Sequence, residues 1–77
     1  MEDAFLQLLK ALRLEKNFTQ KQLADRLGVP QSYVSKYETG ERRLDFVETA
    51  YVCEALGITI QQFSKMLVEK VKKSNRA

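Results

Sequence analysis

The residues best equipped for chemistry lie just after Pro30. Gln31, Ser32, Ser35 and Lys36 carry an amide, two hydroxyls and an ammonium. At about 100° per helical residue they share one face, with Val34, Tyr37 and Glu38 on the other. A Gln amide can bond an adenine edge through two hydrogen bonds, a Lys ammonium can donate to guanine O6 and N7, and a Ser hydroxyl can donate or accept. This face is therefore able to read base edges, against the rival of a merely solvated helix surface. Tyr33, at its margin, is placed either to stack on a sugar or thymine methyl or to cover the core. One turn beyond, Arg42 and Arg43 offer phosphate contacts, with a solvated loop as the alternative.

Other chemistries lack their groups. The chain has no His, the side chain most often used for general acid–base catalysis. It has no glycine-rich phosphate loop and no nucleophile elbow, so an enzyme is not expected. With no His and Cys53 as its single cysteine, neither structural zinc nor an internal disulfide can be built. No metal or cofactor is expected, and Cys53 reads as a small buried apolar residue in a reducing cytoplasm. The longest apolar runs, such as Tyr51 to Cys53, fall far short of the roughly 20 residues that span a bilayer. Met1, Glu2 and Asp3 lead into an amphipathic pattern rather than an export signal. A cytoplasmic, nucleoid-associated protein with no membrane partner is the expectation.

The net charge of +3 is unevenly placed. Residues 16 to 43 hold six Lys or Arg against three acids, residues 44 to 64 hold Asp45, Glu48 and Glu54 with no basic residue, and the remainder is basic again. A polyanion would prefer one face of such a molecule.

The elements that must position these groups are helices in a single domain spanning residues 1–77. Ala4, Phe5, Leu8, Leu9 and Leu12 recur at helical spacing and predict a first helix over 3–15. Thr19 with Gln22 is a capping box that opens a second helix over 20–27, burying Leu23, Ala24 and Leu27 and stopping at Gly28. Pro30 suits a turn or a first helical position, and a short third helix over 31–38 turns Val34 and Tyr37 inward. Asp45 with Glu48 caps a fourth helix over 45–56, with Phe46, Ala50, Cys53 and Leu56 as its core face. Thr59 with Gln62 caps a fifth over 60–71 that buries Ile60, Phe63 and Leu67, leaving 72–77 as a basic tail that is expected to be frayed. Two helices joined by the three residues Gly28, Val29 and Pro30 have helix-turn-helix spacing, in which the second helix enters the major groove.

The stretch Thr19-Gln20-Lys21-Gln22-Leu23-Ala24, then Leu27-Gly28, then Gln31 through Gly40, and the later Leu56-Gly57-Ile58-Thr59 resemble the phage repressor and Cro type of helix-turn-helix protein, the XRE family. The resemblance implies an all-α, compact five-helix, lambda-repressor-like DNA-binding domain with its helix-turn-helix at helices two and three. It implies that Gln20 bonds a DNA phosphate, that Gln31, Ser32 and Lys36 face base edges, and that Arg13 pairs with Glu38 as a structural ion pair. Leu44 departs from the family, in which Pro commonly precedes the fourth helix.

Val47, Tyr51, Val52 and Ala55 on the fourth helix, with Met66 and Val68 on the fifth, lie partly off the core faces and are candidates for a two-fold dimer interface. Such a homodimer would set two recognition helices roughly 34 Å apart, matching half-sites of a palindrome on double-stranded DNA. With no ligand-sensing segment in the pattern, control by the protein's own concentration is expected, as the resemblance to lysogeny repressors and restriction-modification controller proteins implies. Repression and activation both stay open. The alternative from another class is an antitoxin or coactivator-like module that holds a protein partner, a toxin or polymerase, on helices four and five.

Overall fold

In the computed structural model, residues 2–74 are described. They form α1 (Glu2–Glu15), α2 (Gln20–Leu27), α3 (Gln31–Glu38), α4 (Phe46–Ala55) and α5 (Ile60–Ser74), with no strand among the described residues. Three helix starts are set by reciprocal capping. The Thr19 hydroxyl accepts from Gln22 N at 3.0 Å while Gln22 Oε1 accepts from Thr19 N at 2.9 Å. Asp45 and Glu48 do the same for α4, and Thr59 and Gln62 for α5. Each box satisfies two backbone donors that a helix N-terminus leaves unpaired.

The helix ends are equally local. Gly28 sits at φ +72°, a conformation that costs a residue with a Cβ, and this lets Val29 N reach back to Ala24 O at 3.0 Å. Asn17, at φ +62°, performs the same turn after α1, bringing Phe18 N to Arg13 O at 3.1 Å. Asn is among the few side chains that tolerate this region. The sharp turn at Gly28 aims α3 across α2.

Every helix contributes to one core: Leu9 and Leu12 from α1, Leu23 and Ala24 from α2, Val34 and Tyr37 from α3, Val52 and Cys53 from α4 with Leu56 at its end, and Phe63 from α5. Phe5 meets the Phe63 ring edge-on at 5.6 Å between centroids. The inward positions of α3 are filled by Val34 and Tyr37, so its opposite face is left to solvent.

The fourth helix departs from its sequence reading. Its core face is Thr49, Val52, Cys53 and the capping Leu56, whereas Phe46 is 70% exposed. Thr49 can be buried because its hydroxyl donates to Asp45 O at 2.7 Å, one turn back in the same helix, so no polar group is stranded. Phe46, at the first helical position, projects away from the core. Val52 is fully buried in the monomer core and therefore cannot line a dimer interface. Ala55 and Met66 pack partly against the same core. Asp45 and Leu56 cap α4 rather than belong to it, and α1 begins one residue before the expected start. Helix α5 continues through Lys72 and Lys73 to Ser74, where their charges complement the negative end of the helix dipole. A frayed tail is thus replaced by helix over 72–74. The rest of the expected tail, Arg76 included, lies outside the described residues.

Candidate nucleic-acid interface

Helix α3 presents Gln31, Ser32 and Lys36 to solvent, with Ser35 half-buried beside them. A helix as short as α3, eight residues, is not stable alone, so tertiary contacts must hold it in place. The first is at its C-terminal end. Glu38 accepts from Arg13 Nε at 2.7 Å and Arg13 Nη2 at 3.0 Å, a two-pronged ion pair whose side chains are only 8% and 3% exposed. Arg13 Nη1 also donates to Phe18 O at 2.8 Å. One guanidinium thereby ties α1, the α1–α2 turn and α3 together. Hydrogen bonding to Glu38 pushes the Arg13 pKa up, so the guanidinium keeps its charge.

Gln20 joins this cluster. Its Nε2 donates to Glu38 Oε1 at 3.0 Å, so the amide expected to face a phosphate is anchored on the recognition helix. An amide nitrogen carries two N–H groups, and Glu38 takes one.

The second hold lies at the other edge of the face. After α3 the chain turns at Gly40, with Arg42 N returning to Lys36 O at 3.1 Å. That turn stacks the Arg42 guanidinium over the Tyr33 ring at 4.3 Å. Both then converge on one oxygen: Glu48 Oε2 accepts from Tyr33 Oη at 3.0 Å and from Arg42 Nη2 at 2.7 Å. Its Oε1 accepts from the Asp45 backbone N–H, the capping bond, which with Arg42 and Tyr33 holds the Glu48 pKa below the usual carboxylate range. Burial, reinforced by the bond to Glu48, pushes the Tyr33 hydroxyl pKa up. Tyr33 thus covers the core margin and offers its outer ring to a cation. Arg43 is largely solvated and, among the described residues, comes within 3.9 Å of Glu2.

A helix-turn-helix family profile matches residues 9–48, just over half of the chain. An XRE-family-like protein from Pseudomonas syringae pv. tomato is 43% identical over 88% of this chain and 83% of its own, with a TM-score of 0.84. The chain belongs to the XRE family of helix-turn-helix proteins. XRE-family proteins are DNA-binding transcription regulators, and the all-α fold is theirs. The restriction-modification controller protein C.Esp1396I is 26% identical over 94% of both chains, with a TM-score of 0.86. A tetramer of that controller has been crystallised with its natural 35 base-pair operator, and the match there covers 91% of this chain and 92% of that one, at 26% identity and a TM-score of 0.84. No curated protein matches the sequence.

Two features of this XRE-family domain have no signal in sequence spacing. Arg26 Nε donates to Ala55 O at 3.0 Å, at the carbonyl end of α4, and its guanidinium lies 4.9 Å from the Phe18 ring centroid. Glu48 is recognisable in the sequence only as the partner of Asp45, yet it also grips Tyr33 and Arg42. Among the described residues, no helix is long and apolar enough to cross a membrane. Burial pushes the Cys53 thiol up to about 11, which makes it a poor nucleophile.

Proposed function

We propose that the protein regulates transcription by reading a short palindromic operator as a homodimer, with α3 in the major groove. The observation that carries this reading is the solvent-facing set Gln31, Ser32 and Lys36, with Ser35 beside it, on a helix held by the Arg13–Glu38 ion pair at its end and by the Tyr33–Glu48 hydrogen bond at its other edge. Those side chains take the base edges. Gln20, through the amide N–H that Glu38 leaves unused, together with Tyr33, Arg42 and Arg43, takes the backbone. Arg13 and Glu38 hold the geometry and touch no base.

Dimerisation uses the exposed apolar side chains Val47 and Tyr51, 58% and 62% exposed, with Phe46 beside them and Val68 on α5. Large apolar residues grouped on the first turns of one helix are the pattern of a protein contact rather than of scattered surface. The oligomeric controller on its operator supports a second copy of this chain as the occupant. A toxin or polymerase on the same face is the rival, and Tyr51→Glu separates the two. That change converts a dimer to a monomer in sedimentation equilibrium if the face is the self-contact, and leaves the state unchanged if it is not.

Selection of random duplexes by the purified protein tests DNA reading, preference and symmetry together. Enrichment of an inverted repeat is the expected result; no enrichment would sink the operator reading. Lys36→Ala then relaxes base preference, by about 1 to 3 kcal/mol of discrimination at one position, with little change in salt slope. Gln20→Ala weakens binding to all duplexes alike.

A further inference from the structure

The cluster of Tyr33, Arg42 and Glu48 brings together groups from α3, the α3–α4 loop and the first turn of α4. Tyr33 and Arg42 are two of the side chains assigned above to the DNA backbone, and in the free protein both already donate to an anion. That anion is Glu48 Oε2, at 3.0 Å from the tyrosine hydroxyl and 2.7 Å from the arginine. A guanidinium and a hydroxyl converging on one anionic oxygen is also the donor set that binds a phosphate oxygen. The Arg42 side chain is 45% exposed and that of Glu48 27%, so the pair lies open to solvent and to a competing anion, unlike Arg13 and Glu38. Stacking on Tyr33 keeps the Arg42 guanidinium at the edge of the recognition helix.

We propose that Glu48 acts as a built-in stand-in for a DNA phosphate, occupying Arg42 and Tyr33 in the free protein and competing with the DNA backbone for them. The inference rests on the reading of α3 and its flanking loop as the DNA-facing surface. Glu48 is in this account a positioning residue: it touches no nucleic acid and acts through Arg42. It lowers affinity for every duplex alike, because the contact it withholds is to the backbone. It also flattens the salt dependence, since salt weakens the ion pair being broken along with the one being formed. Indiscriminate binding is thereby reduced, while the base-reading residues of α3 are left as they are.

Glu48→Gln separates the two jobs of this side chain. Glutamine still accepts the capping bond from the Asp45 N–H, so α4 keeps its start and the variant folds. Only the charge that retains Arg42 is lost. Binding of full-length protein to a mixed-sequence duplex, measured by fluorescence anisotropy across a salt series, should tighten by about two- to fivefold at low salt, the size expected from an exposed ion pair. The slope of log affinity against log salt should steepen, by at most about 0.9 per subunit. Two controls separate competition from a simple change of net charge. Glu54→Gln removes an equal charge about 1.7 turns further along α4 and should leave affinity as in the wild type. In an Arg42→Gln background, Glu48→Gln should give no gain. A gain that persists without Arg42, an equal gain from Glu54→Gln, or unchanged or weaker binding by Glu48→Gln would each overturn the proposal while leaving the DNA reading intact. Failure of the wild-type protein to bind any duplex at low salt would overturn that underlying reading, and the proposal with it.

Discussion

Two arginine–glutamate pairs flank the recognition helix, and they differ in almost everything except their chemistry. Arg13 and Glu38 are nearly excluded from solvent and joined through two hydrogen bonds, with the third arm of the guanidinium on Phe18 O. Arg42 and Glu48 meet through one hydrogen bond with both side chains partly open to water. The first pair ties α1 to α3 and cannot be opened without stranding a charge. The second ties a loop to α4 and opens at little cost, because water and counterions can replace either partner. Burial, rather than the identity of the residues, separates a strut from a latch.

The largest test of this contrast is Glu38→Ala. It leaves Arg13 buried without its counter-charge and frees Gln20 from its acceptor, and should cost about 3 kcal/mol in urea unfolding. That is a large share of the total for a chain of this size, on the order of 4 to 12 kcal/mol. A loss below about 1 kcal/mol would mean that the buried pair is no strut. Glu48→Gln should leave the unfolding midpoint near that of the wild type, so the two variants are expected to differ sharply in stability even though each removes one acid.

A smaller effect probes burial without charge. The Tyr37 hydroxyl is fully buried with no hydrogen-bond partner among the described residues, and burial pushes its pKa up. Tyr37→Phe removes the unsatisfied group while keeping the ring, and should be neutral or stabilising by up to about 1 kcal/mol. A loss of stability on that change would reveal a bound water or another partner at the hydroxyl.

The smallest effect concerns pH. The folded-state pKa of Glu48 lies below its unfolded value, because the Asp45 N–H, Arg42 and Tyr33 all favour the carboxylate. Its contribution to stability is therefore present above the ordinary glutamate range and is lost as pH falls through the lowered folded value. In an NMR titration the Glu48 side-chain carboxyl should titrate below a typical glutamate. The Tyr33 pKa, raised first by burial and then by Glu48, should fall back part of the way in Glu48→Gln. An unmoved Tyr33 would mean that burial alone accounts for its shift.

Much of the scaffold was legible in residues close together in the chain. The three capping pairs and Gly28 act within a turn or two of helix, where backbone geometry fixes which groups can meet, so the sequence marks these boundaries directly. The inward pair Val34 and Tyr37 follows from helical periodicity and in turn dictates which face of α3 looks outward. The phase of α4 was not legible by the same rule. An aromatic at Phe46 and a hydroxyl at Thr49 argue for a face rotated by about 60° from the observed one, and only the contacts of α4 with α2 and α5 choose Thr49 and Val52 for the core.

What the sequence alone determined, then, is where the helices start and stop and which side of α3 is polar, because capping and periodicity are short-range. Tertiary structure alone decided that Gln20 rests on Glu38, that Val52 is unavailable to a partner, and that Glu48 holds Tyr33 and Arg42. The contacts of Gln20 and Tyr33 join residues 18 and 15 positions apart on different helices. No repeat or motif encodes such a separation; it arises from the angles at which the packed helices cross, and those are set by the core as a whole.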